Sequence, residues 1–107
     1  MSVWEIKLPQ GITEITQEYV RGNMPAGTTE VVIPEGAKSI RLMAFHGCVD
    51  LQSVVISESV KSIDFHAFLG CTCLESVVIP QCIKSIGVGI FKGCTSLHSV
   101  EIPEGVE

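Results

Sequence analysis

Apolar positions along this chain follow a short pattern that recurs at a fixed 23-residue period. Leu51, Val54 and Ile56 are answered by Leu74, Val77 and Ile79, and Ile33, Ile56, Ile79 and Ile102 stand one period apart. Residues of one parity face inward and those of the other face outward, which predicts a short strand in each unit. A proline usually follows, at Pro9, Pro34, Pro80 and Pro103, with Ser57 in its place once. Proline has no amide hydrogen to give a ladder, so it suits a strand end. A second extended piece comes next, such as Val60-Lys61-Ser62-Ile63, with its first and last residues inward. The pattern then changes. Ala67, Phe68 and Cys71 recur at spacings that predict one helical or 3-10 turn, closed by Gly70 with a positive φ.

The same period separates Phe45, Phe68 and Phe91, and also Cys48, Cys71 and Cys94. A period in this range predicts a solenoid, in which each repeat is one unit stacked on its neighbours. The units run 3–27, 28–50, 51–73 and 74–96, with a partial unit over 97–107, all in one domain. The first is two residues longer, and the alignment puts the excess near Met24-Pro25-Ala26. Stacked units place parallel strands about 4.8 Å apart, so equivalent side chains form rows. The phenylalanines fill the core between sheet and turn. A buried Phe or Ile contributes roughly 1.5–3 kcal/mol. One unit has no core of its own, so stability resides in the interfaces between units.

The consensus L-x-S-V-x-I-P-x-x-V-K-S-I-x-x-x-A-F-x-G-C resembles the BspA-like leucine-rich repeats, a class with 23-residue units. The I-P, S-I, A-F and Cys positions all carry the resemblance, over nearly the whole chain. It departs from the commonest leucine-rich repeat, which has an asparagine ladder; Asn23 is the single asparagine here. The first unit is degenerate, with Tyr19-Val20 for Ala-Phe and Asn23 for Cys, and is expected to cap the stack. The resemblance implies a curved, right-handed solenoid used to bind other molecules, with no catalytic residues. Bacterial surface adhesins and proteins of host-associated microbes and protists belong to the family.

Composition narrows the function classes. The net charge of −5 argues against nucleic acid, which favours a basic face. Apolar runs of a few residues predict no membrane insertion. The start, MSVWEIKLPQGITE, does not read as a signal peptide, so a cytoplasmic location is expected, or a surface one for a module of a larger protein. Five cysteines, three in one row, suit free thiols in a reducing compartment.

Candidate chemistry is sparse. Zinc needs ligands that converge on a point, and Cys48, Cys71 and Cys94 form a line, so they are read as core rather than metal. Cys73 and Cys82 break the repeat, and a thiol enzyme on either lacks a converging base. His46, His66 and His98 occupy different offsets and are read as surface residues. Lys38, Lys61 and Lys84 form a basic row, with Glu35, Glu58 and Gln81 three residues before them to offset its charge. It is either a stripe for an acidic partner or a solvated face that discourages sheet-edge pairing. No catalytic residue, cofactor or metal is expected.

The outward rows of the first strand carry the functional expectation. One reads Lys7, Val32, Val55, Val78 and Glu101; its neighbour reads Glu5, Glu30, Ser53, Ser76 and Ser99. A row of exposed valines beside small serines suits a protein- or peptide-binding face, although valine also favours strands for its own reasons. The residues singled out are Val32, Val55 and Val78, with Glu30, Ser53, Ser76 and Glu101 around them. The alternative is self-association into a homo-oligomer through an open edge at Ile102–Glu107, or a fragment of a larger adhesin or effector.

Overall fold

The computed structural model describes residues 2–101, with the Glu101 side chain outside that description. In chain order the elements are β1 (Val3–Glu5), β2 (Glu14–Ile15), α1 (Gln17–Asn23), β3 (Glu30–Val32), β4 (Ser39–Ile40), β5 (Ser53–Val55), β6 (Ser62–Ile63), β7 (Ser76–Val78), β8 (Ser85–Ile86) and β9 (Ser99–Glu101). Odd-numbered strands form one sheet in the order β1-β3-β5-β7-β9, and even-numbered strands form a second, β2-β4-β6-β8. Every pairing is parallel. From β3 onward the partners in the first sheet are one sequence period apart, such as Val32 with Val55 and Val55 with Val78. The repeat predicts an α/β solenoid of stacked parallel strands with short helical or 3-10 turns; the strands stack as expected, in a β-solenoid with little helix.

The turns form a third ladder. Met43, Phe45 and Gly47 donate their amides to the carbonyls of Phe65, Ala67 and Leu69 at 3.0, 2.7 and 2.8 Å. His66, Phe68 and Gly70 repeat this toward Val88, Ile90 and Lys92. The intervening amides fold back at 3-10 spacing, as from Ala44 to Arg41 and from His46 to Met43. The alternation requires a left-handed residue at regular places. Gly70 supplies one at φ 75, and Met43, His66 and Gly89 share another at φ 54, 55 and 67. Glycine adopts this region freely, whereas Met43 and His66 adopt it at a cost.

Among the described residues α1 is the single α-helix, and it lies in the degenerate first unit. Thr16 starts it, its hydroxyl accepting from the Tyr19 amide at 3.0 Å. The Tyr19 ring stacks on Trp4 with centroids 6.0 Å apart, and Val20 is buried where later units bury phenylalanine.

The core is made of inward rows. Phe45 and Phe68 are fully buried and stack at 5.4 Å, and Phe68 stacks on the half-buried Phe91 at 6.0 Å. Val31, Val54 and Val77 and the row Ile40 and Ile63 close the sheets against them. Where Ser57 replaces proline, its hydroxyl donates to the Pro34 carbonyl at 2.8 Å. That bond ties adjacent units through a side chain.

The first unit departs from the expected alignment. Glu5, not Lys7, pairs with Val32, and Val3 pairs with Glu30. The offset between partners in β1 and β3 therefore exceeds the regular period by four, while that in β2 and β4 exceeds it by two. The added length is split between the segment joining β1 to β2 and the arm that contains α1. Lys7 consequently lies past the strand, and its carbonyl accepts from the Tyr19 hydroxyl at 3.4 Å. The expected open edge at Ile102–Glu107 lies outside the described residues.

Close stacking makes one glycine irreplaceable by size alone. A Cβ on Gly87 would stand 2.5 Å from the Phe65 amide nitrogen, whereas one on Gly22 in α1 meets nothing within 4 Å. Gly87→Ala is expected to lower stability by about 1–3 kcal/mol through overpacking. Gly22→Ala is expected to raise it by up to about 1 kcal/mol through helix propensity. Urea unfolding of both variants checks the contrast.

Candidate functional site

Each unit presents its first strand outward at two positions. On β3, β5 and β7 these are Glu30 and Val32, Ser53 and Val55, and Ser76 and Val78, while Val31, Val54 and Val77 face the core. Backbone register aligns Val32, Val55 and Val78 in one row, continued at its ends by Glu5 and Glu101. A second row reads Val3, Glu30, Ser53, Ser76 and Ser99. Val32 is half-buried, Val55 is 37% exposed and Val78 is 57% exposed. Glu30 and Ser53 are half-buried beside them, as is Ser76. Each strand of this sheet makes its main contacts with its neighbours in the same sheet. The face is an apolar ridge flanked by a trough of small hydroxyl side chains.

A second apolar row was not legible as a site from the consensus. Leu42, Phe65 and Val88 occupy the same repeat offset just past the second sheet, and are 46%, 46% and 76% exposed. The Phe65 ring leans on His66, with centroids 3.6 Å apart. These positions fall in the three unassigned places of the repeat between S-I and A-F, and apolar residues in all three copies are the signal. Leu42 also lines an open groove of about 410 Å³ with Thr16, Gln17, Glu18 and Arg41. A neighbouring groove of about 340 Å³ lies between Gly11-Ile12-Thr13 and Tyr19.

Charge is organised differently from the expected lysine–glutamate rows. The Lys61 ammonium lies 3.4 Å from the Glu58 backbone carbonyl rather than against its carboxylate. Ion pairs centre instead on Arg41, which reaches Glu14 at 3.1 Å and Asp64 at 3.0 Å. Glu14 first, then Asp64, holds that guanidinium charged. One side chain thus spans three units on the surface.

The cysteine row is a packing row. Cys71 is fully buried and its thiol donates to the Phe45 carbonyl at 3.1 Å; Cys94 does the same toward Phe68. A hydrogen bond with Cys48 and burial push the Cys71 thiol pKa up, and burial pushes Cys94 up. Cys73 and Cys82 are exposed. Among the described residues no three His, Cys, Asp or Glu side chains gather as metal ligands. His46 and His98 are exposed and His66 is half-buried against Phe65. No helix among the described residues is long and apolar enough to cross a membrane.

Parallel strands in a constant register, phenylalanine stacks and a thiol row define a leucine-rich-repeat solenoid. The family model of the BspA type leucine rich repeat region (6 copies) matches residues 23–107, and the chain belongs to that family. Among solved structures it is similar to a T. pallidum leucine rich repeat protein, at 32% identity and TM-score 0.71, over 77% of this chain and 41% of that one. It is also similar to a leucine-rich repeat protein from Bacteroides ovatus, at 27% identity and TM-score 0.71, over 99% and 35%. A third is a leucine rich cell surface protein from Faecalibacterium prausnitzii, at 25% identity and TM-score 0.59, over 99% and 37%. The chain thus spans well under half the length of these proteins. No curated protein matches it. Proteins of this family and fold serve commonly as protein-binding scaffolds and are typically non-catalytic.

The thiols give a pH prediction. The folded state holds Cys71 protonated above the ordinary thiol value of 9.0, and the unfolded state does not. Its contribution to stability is complete below pH 9.0 and is lost as pH rises above it. Cys48, lowered by the hydrogen bond that raises Cys71, acts in the opposite sense, whereas Cys94, raised by burial, adds to the loss. Urea midpoints should therefore fall from pH 8 to pH 10 in a Cys48→Ala variant, and less steeply when Cys94→Ala is added. In the native protein, iodoacetamide should modify Cys73 and Cys82 well before Cys71, as peptide mass spectrometry would show.

Proposed function

We propose that this chain is a non-catalytic scaffold that binds a protein or peptide across the outer face of its first sheet. The observation that supports this is the in-register row Val32, Val55 and Val78, with Glu30, Ser53, Ser76 and Glu101 around it. A row of β-branched side chains left in water offers burial of apolar area to a partner. The serine row beside it adds hydroxyl donors and acceptors at low side-chain entropy. The ridge is fixed by backbone pairing on both sides of each valine, so little ordering is needed on binding.

A second reading places the partner on the Leu42, Phe65 and Val88 row. Its support is the exposed aromatic ring of Phe65, since aromatic side chains dominate many interfaces. One row lies on the first sheet and the other in the turns just past the second, so they are separable by substitution.

Affinity purification from the source cell, read by mass spectrometry, tests both. Val55→Glu is expected to abolish capture of the partner while circular dichroism stays unchanged, and Phe65→Glu is expected to leave capture intact. Loss with Phe65→Glu and retention with Val55→Glu would move the site to the second row.

A further inference from the structure

We infer that the segment taken by the strand face is a cationic, extended peptide. This rests on the proposed site and adds the charge of its partner. The rows bordering the valines carry carboxylates. Glu5 is exposed and heads the valine row in register with Val32, and Glu30 projects outward beside Val32 on β3. Glu75 is exposed where the chain enters β7. Lys7 lies two residues beyond Glu5, and no lysine or arginine falls within β1, β3, β5, β7 or β9.

The remaining six of the seven lysines and arginines lie elsewhere. Lys38, Lys61 and Lys84 each immediately precede a strand of the second sheet. Arg21 is on α1, Arg41 is held by Glu14 and Asp64, and Lys92 is in a turn. His98 immediately precedes β9, with Nδ1 3.1 Å from the Ser96 carbonyl.

The apolar and acidic features act together. A peptide whose apolar side chains cover Val32 and Val55 removes water from beside Glu5 and Glu30. Attraction to a nearby cation then strengthens, and an anionic segment meets uncompensated like charge. The serine trough suits the backbone of an extended segment, whose successive side chains alternate in direction. The fitting ligand alternates apolar residues with lysine or arginine.

The test is selection of a displayed library of random dodecapeptides on the folded protein. Enriched peptides should carry several-fold more Lys and Arg than Asp and Glu and should lose binding to the Val55→Asn variant, which removes apolar surface without adding charge. Their synthetic forms should bind roughly two- to fivefold more weakly for each of Glu5→Gln and Glu30→Gln. Raising salt from about 0.1 M to about 0.5 M should weaken them further. Charge reversal by Glu5→Lys with Glu30→Lys should shift selection toward acidic peptides. Peptides that lose binding to Val55→Asn but show no basic excess and no salt dependence would overturn the charge inference and leave the site standing. Peptides that bind Val55→Asn as tightly as the parent would overturn the site and the inference with it.

Discussion

The backbone hydrogen bonds that run from each unit to the next, in a constant register, are the constraint on which the other features depend. They are made in three places: the two sheets and the turns. Because the register is constant, equal side chains meet in rows. Phe45 lies on Phe68 and Phe68 on Phe91, and the Cys71 and Cys94 thiols donate to the Phe45 and Phe68 carbonyls. A shift of one residue would turn the inward valines out and the outward ones in. The same register that builds the core therefore builds the exposed rows. Fold and candidate site are two faces of one periodicity.

The turns show what that register demands. For Met43 and His66 to aim their amides at the next unit, both residues take up left-handed backbone, although neither is glycine. The fourth unit has Gly89 at the same place, and a Cβ there would stand 2.5 Å from His66 Cδ2. His66 thus occupies the space that Gly89 leaves empty. In the first unit the solution is different: α1 replaces the tight turn, and Tyr19 packs on Trp4. A helix satisfies its own backbone, so this unit makes its turn without the 3-10 pattern of the later units.

Much of this was legible in the sequence because the information is in the period. The inward Ile, Phe and Cys rows, the proline at strand ends and the left-handed Gly70 all follow from identical residues at identical offsets. The first unit was harder to read. Its added residues fall in two places, and sequence alone assigned them to one, which moved Lys7 into a position that Glu5 holds. The Phe65 row was overlooked for a different reason. Leu42, Phe65 and Val88 differ in identity, so the consensus hides them, and only their shared exposure shows that they form a surface. The exposure gradient from Val32 to Val78 was not legible either, since it depends on neighbours from adjoining units.

The direction of the hydrogen bonds has a mechanical consequence. In a solenoid they lie along the axis, across strands that run perpendicular to it. A pull on the two ends of the stack loads one interface after another and peels units away singly. A pull across the stack, along the strands of one unit, loads all the bonds of that unit together in shear. The molecule is therefore soft along its length and stiff across it. A partner seated on several strands at once would staple units together in the direction in which the chain by itself is weakest.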